Sequence, residues 1–293
     1  MHKNDEFLEF NKMINNDDTL SLESVLSFLK TFENIPLIIH NYDLKDDEIL
    51  TYSTELLKMN QRLKNKDKET YWTKIIRENN KLYFVDYIAK NKYGAQLKIK
   101  QNLVFNDISS VSDTLGKRIK KYVDNPDFES FRDLITKIKN KDDLKNLRGF
   151  YLKAYPFFGK SFVLSNFANE LAKKDIKVAY LNINNLFEYI TNNIFNSKET
   201  TLNDFKNKLF NVDVLFIDDF GLEKPNNWFR ETFLYELFEY RYEKNLLTAI
   251  ASDYSLEEIT SKYTNNKIDS LKLEKMINKI KKLMPNYFEF KRR

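Results

Sequence analysis

From Gly149 onward, apolar runs of strand length alternate with stretches whose apolar residues recur every three or four positions. Residues 150–153, 176–182, 212–217, 246–251 and 287–290 read as strands. Residues 160–173, 186–194, 202–209, 228–242, 256–262 and 271–283 carry helical spacing. Strands rich in apolar residues at every position, each followed by a helix, predict an α/β fold: a parallel sheet flanked by helices. Ligands of such sheets sit beyond the carboxyl ends of the strands.

The first part of the chain has a different texture. Residues 21–32 repeat apolar positions at helical spacing, Pro36 interrupts, and Asp43 or Asp46 stands ready to cap a second helix through Leu57. Residues 82–88 and 96–100 alternate like half-buried strands. Helical spacing returns at 110–122 and 128–138, separated by the turn signal Asn125-Pro126. The change of character divides the chain into a smaller, mainly helical domain over 1–105 and an α/β domain over 106–293.

Charge sharpens this division. The net charge is +5, yet residues 1–60 hold 12 acids against 5 bases. Residues 61–100 hold 11 bases against 4 acids, interleaved with Tyr71, Trp72, Tyr83, Phe84, Tyr87 and Tyr93. Bases beside aromatics suit a single-stranded nucleic-acid groove. The alternation favours the plainer reading, in which the rings fill a small core and the lysines face water. There are no cysteines and only two histidines, His2 and His40. Thiol chemistry and cysteine-ligated zinc are thereby excluded, and two histidines leave almost no room for a histidine metal cage or a Ser-His-Asp triad. No apolar run reaches the roughly 20 residues of a membrane span, so no membrane partner is expected. The start of the chain lacks the basic-then-apolar order of a signal peptide, and the expected location is cytoplasmic.

One stretch carries candidate chemistry. Ala154-Tyr-Pro-Phe-Phe-Gly159-Lys160-Ser161 lies between a strand and a helix, in the frame of a phosphate-binding P-loop. Such a loop offers backbone N–H groups and a lysine to phosphates, and a hydroxyl to Mg²⁺. Gly159, Lys160 and Ser161 are in place, with Phe162 next. Ala154 replaces the leading glycine, bulky Phe157 and Phe158 resist positive φ, and Pro156 has no N–H to give. A second signal is the apolar run 212–217 ending in Asp218-Asp219, the position of carboxylates that hold Mg²⁺ and orient water. A third is Ser252-Asp253 at another strand end, where Asp253 would repel a phosphate unless paired with Lys160 or a metal.

These residues resemble the bacterial replicative helicase loaders of the DnaI/DnaC type, within the AAA+ ATPases. The resemblance covers about 148–290. It rests on Gly159-Lys-Ser, Phe216-Ile-Asp-Asp-Phe-Gly-Leu-Glu223, Trp228-Phe-Arg230, Tyr240-Arg-Tyr242 and Ala251-Ser-Asp253. It implies an N-terminal domain that binds the replicative DNA helicase. It implies a C-terminal domain that binds single-stranded DNA and ATP–Mg²⁺, with weak ATPase turnover at most. Lys160 would then contact phosphate, with Gly159, Phe162 and Asp253 beside the nucleotide. Ser161 and Asp218 would hold Mg²⁺, and Asp219 would polarise water. Several copies could assemble in that frame. Two departures stand out. No arginine occurs between Arg241 and Arg292, where lysines 275, 279, 281 and 282 replace the family's arginine finger and sensor. The cysteine zinc module of DnaI-type N-terminal domains is also absent, leaving Trp72, Tyr83 and Phe84 to pack in its place. Two other functions stay open: an adaptor of loader fold that works without ATP, and an AAA+ transposition helper.

Overall fold

The computed structural model describes residue 10 and residues 21–107, 126–194, 202–265 and 268–290. The chain divides into two compact units, residues 1–97 and 98–293.

In the first unit, α1 (Leu22–Lys30), α2 (Ile35–Tyr42), α3 (Asp46–Thr51) and α4 (Ser53–Lys64) pack with a hairpin, β1 (Tyr71–Glu78) and β2 (Lys81–Ile88). Ser21 caps α1 by accepting from the Ser24 N–H, and Pro36 sits in the first turn of α2, where its missing N–H costs nothing. Leu29, Ile35, Ile38, Ile49, Leu56 and Leu57 fill the core with Ile75 and Leu82 of the hairpin. The expected single helix from Asp43 or Asp46 to Leu57 is two. Asp43 ends α2 at φ 47°, Asp46 is the first residue of α3, and Tyr52 separates α3 from α4.

Residues 96–100 correct the sequence reading more sharply. They lie inside a helix, α5 (Lys92–Asn102), instead of a strand. Asn91 decides this: its Oδ1 accepts from the Gly94 N–H at 2.9 Å and its carbonyl from Ala95, closing the first turn. The following β3 (Leu103–Asn106) joins the sheet of the second unit, so the structural division falls ahead of residue 105.

The second unit is the expected α/β fold. Its six strands run in the order β3-β5-β6-β7-β4-β8, all neighbours parallel. The remaining strands are β4 (Phe150–Ala154), β5 (Val178–Asn182), β6 (Val214–Asp218), β7 (Leu247–Ser252) and β8 (Asn286–Phe290). Side chains alternate between two apolar clusters. Tyr151, Leu181, Leu215, Ile217 and Ile250 face one, and Phe150, Leu152, Tyr180, Phe216 and Ala249 the other. The first is covered by α8 (Ile183–Tyr189), α9 (Leu202–Phe210), α10 (Tyr235–Glu243), α11 (Leu256–Asn265) and α12 (Ser270–Leu283). The second is covered by α6 (Pro126–Thr136) and α7 (Lys160–Lys173). The expected helix over 110–122 lies outside the described residues. Gly149 opens β4 because a Cβ there would meet the Thr248 carbonyl oxygen at 1.9 Å.

Buried Arg241 ties the end of α9 to the starts of β6 and β7. Its guanidinium donates to Thr248 Oγ1 at 2.7 Å and to the carbonyls of Phe210, Val212 and Leu247 at 2.9, 3.0 and 2.7 Å. Full burial pushes its pKa down to about 9, still charged at neutral pH. Among the described residues, no helix is long and apolar enough to cross a membrane.

Candidate functional site

Strand β4 ends at Ala154, and residues 155–159 turn the chain into α7. Phe157 sits at φ 68° with its ring fully in solvent, and Gly159 at φ 77° forms the N-cap. The turn thus takes the left-handed steps a phosphate loop uses, and it does so at one position without a glycine. That conformation costs a bulky residue on the order of 1 kcal/mol or more. Gly159 aims the first turn of α7, and with it Lys160, back across the sheet.

The order β6-β7-β4 brings three strand ends together. Lys160 is 6% exposed, and its ammonium donates to Asp253 Oδ1, one residue past β7. The same nitrogen lies 4.0 Å from Asp219 Oδ1, one residue past β6. Asp218, the last residue of β6, is 3% exposed. Its Oδ1 accepts the Asp219 N–H at 2.9 Å and its Oδ2 the Tyr180 hydroxyl at 2.5 Å. Asp219 stands at φ 58°, in the left-handed region that aspartate tolerates, and accepts from Asn182 Nδ2 at 2.8 Å. Lys160, Asp218, Asp219 and Asp253 therefore form one cluster. Ser161 is exposed on the first turn of α7, and Phe162 packs half-buried on the second core cluster.

One lysine faces three carboxylates. Burial pushes the Asp219 pKa up, the charge of Asp218 adds to this, and Lys160 and Asn182 oppose it. Tyr180 is pushed far up by burial and then by Asp218, so it stays a neutral donor. The donor set fits a magnesium nucleotide in kind: a cation for phosphate, with a hydroxyl and a carboxylate for the metal. Its charge balance differs from an open phosphate site, since Asp253 occupies the lysine and protein donors occupy both Asp218 oxygens.

Tyr180 and Asn182 belong to this cluster and were not legible as site residues. Only the register of β5 against β6, which pairs Tyr180 with Phe216 and Asn182 with Asp218, puts their polar ends beside the carboxylates. Arg230 lies outside this cluster. It is wholly buried, with its Nε 2.7 Å from Glu223 Oε1 and its guanidinium carbon 4.0 Å from the Tyr263 ring centroid. Tyr263 also donates to Glu223, whose other oxygen accepts from the Gly221 N–H. The loop after β6 is thus fastened from below.

The second unit is a parallel α/β unit with its candidate chemistry at the carboxyl ends of the central strands. The profile of the bacterial DnaA ATPase domain matches residues 135–270. The replicative helicase loader DnaI of Bacillus subtilis (strain 168) is 24% identical over 167 residues, 56% of this chain and 53% of that protein. The match therefore spans about half the length of this curated relative. A crystal structure of DnaI aligns with TM-score 0.47 at 22% identity, covering 65% of this chain and 94% of that one. The DnaC helicase loader aligns with TM-score 0.43 at 20% identity, covering 56% and 87%. The sequence matches agree with the resemblance to loaders of the DnaI/DnaC type that the motifs carry.

Proposed function

We propose that this chain is a primosomal, helicase-loader-like protein. In this reading it binds the replicative DNA helicase and helps place it on single-stranded DNA in an ATP-linked way. The observation that carries the reading is the meeting of Lys160, Asp218, Asp219 and Asp253 at three neighbouring strand ends, within a segment related in sequence to DnaI. Lys160 would leave Asp253 to hold phosphate, while Ser161 and Asp218 would hold Mg²⁺. Asp219, fixed by Asn182, would orient a water. Gly159 and Phe162 would flank the nucleotide. ATP binding supplies the free energy that separates two states of the loader. The helicase-binding surface is assigned to the first unit and the nucleotide site to the second.

A second reading has specific support. Lys160 already holds a carboxylate, and exposed Phe157 takes the place of a loop glycine. Both favour an adaptor that loads without ATP. Helicase loading on single-stranded DNA by wild type and Lys160→Ala separates the two. Loss of ATP-stimulated loading in Lys160→Ala supports the ATP-linked reading, whereas equal loading sinks it and leaves the adaptor. Titration with fluorescent ATP tests the site directly: no binding at millimolar concentration removes the nucleotide.

A further inference from the structure

The β1–β2 hairpin sorts its side chains in a way the sequence did not predict. Its inner face carries Ile75 and Leu82, both buried, and Phe84, 5.5 Å from the Tyr52 ring centroid. The outer face pairs Trp72 with Tyr87, Lys74 with Val85 and Ile76 with Tyr83 across the strands. Tyr83 is 49% exposed, Tyr87 38% and Val85 37%. Tyr83 therefore does not fill the small core, as expected from the alternation; only Phe84 of that pair does. Trp72 is held at its edge by a hydrogen bond from Nε1 to the Lys66 carbonyl at 3.2 Å, and meets the Tyr87 ring edge-on at 6.1 Å. Lys66 places its ammonium 5.3 Å from the Trp72 ring centroid.

We infer that this outer face is a stacking platform for single-stranded nucleic acid. Three rings on one pleated face offer sequence-tolerant stacking, and only unpaired bases can reach them. Tyr83 and Tyr87 stand four residues apart on β2, about 13 Å along the strand. Lysines interleave with the rings, as a backbone of phosphates requires. Lys74 lies between Trp72 and Ile76, Lys81 ends the row beyond Tyr83, and neither makes an ion pair with a described residue. The one carboxylate on this face is Glu78, at the turn end opposite Lys81. Asp86 points inward to Arg62, and Arg77 on that inner face pairs with Glu48. An apolar protein partner would leave Lys74 desolvated, whereas a phosphate neutralises it, and the rings beside it suit unpaired bases. This contact lies in the first unit and needs no nucleotide at Lys160; it adds to the loader reading a single-stranded contact outside the unit that holds the nucleotide cluster.

The test uses the full chain carrying Trp228→Phe, which leaves Trp72 as the sole tryptophan. Oligo-dT is titrated while Trp72 fluorescence and the anisotropy of labelled oligonucleotide are read together. Saturable quenching of Trp72 is expected. Tyr83→Ala/Tyr87→Ala should weaken the anisotropy-derived affinity at least about tenfold. Lys74→Glu/Lys81→Glu should reduce the slope of log affinity against log salt by about 1.4, at about 0.7 per phosphate contact. Unquenched Trp72 overturns the proposal, as does unchanged oligonucleotide affinity in the tyrosine variant. Lost helicase capture with unchanged oligonucleotide binding overturns it too, assigning the face to protein. Should the tyrosine variant fail to fold, quenching of Trp72 in the parent chain decides. Quenching that persists in Lys160→Ala while loading fails separates this platform from the nucleotide site.

Discussion

At the scale of residues, the cluster turns on what Lys160 holds. Asp253 gives it a carboxylate where a phosphate oxygen would otherwise bind, so an incoming nucleotide must displace a charge already in place. Asp253→Asn keeps an acceptor and removes that charge. It should tighten nucleotide binding by about tenfold, read by fluorescent-ATP titration against wild type. Asp219 predicts a pH effect. Its carboxylate is disfavoured first by burial and then by Asp218, so its folded pKa lies above the unfolded value. The native state then binds its proton more tightly, and stability falls as pH rises from the unfolded through the folded pKa. Asp219→Asn abolishes that loss and also suits the left-handed backbone at φ 58°. Its melting midpoint should exceed that of wild type at pH 7, with the gap closing toward about pH 4. A gap that widens on acidification would refute this account. The motif at 154–161 identified Lys160, and the acidic strand end identified Asp218-Asp219, because chain order fixes them. Neither could identify Tyr180 or Asn182, which arrive through sheet register.

At the scale of elements, the turn between β4 and α7 and the loop after β6 are built in opposite ways. The first stores strain at exposed Phe157, and a glycine would remove it. Phe157→Gly should shift stability by less than about 1 kcal/mol, because glycine's freedom in the unfolded chain offsets the relieved strain. If the bulky ring obstructs the phosphate loop, the same variant should bind ATP more tightly. Unchanged affinity would acquit the ring. The second loop is locked by Glu223, Arg230 and Tyr263, all buried. Arg230→Met leaves the Glu223 carboxylate buried without its cation and should cost roughly 3–5 kcal/mol, measured as a lower urea midpoint. A cost below about 1 kcal/mol would show that the pair is dispensable. The loader-like run Trp228-Phe-Arg230 thus records a structural need. Residues 96–100 alternate like a strand, yet Asn91 starts a helix ahead of them, and a cap outside the window outweighs the pattern within it.

At the scale of the whole molecule, the loader reading predicts partner choice. The full chain should capture the replicative helicase and not a transposase in a pull-down, and the reverse result would favour the transposition helper. What the amino-acid order determined by itself was the local and periodic part. Apolar runs alternating with helical spacing point to the parallel α/β unit, since strands apolar on both faces need helices covering both sides of their sheet. The runs 154–161 and 218–219 could be singled out because each is continuous in the chain. Tertiary structure decided the rest, since it depends on which distant residues meet. The strand order β6-β7-β4 turns Asp253 into the partner of Lys160, and the β5–β6 register gives Asp218 its tyrosine. The pleat of β1–β2 sends Phe84 inward and Tyr83 to water, although the two are neighbours in sequence. Periodicity specifies that successive side chains of a strand face opposite ways. Only packing against the helices of the first unit selects which of those faces is buried.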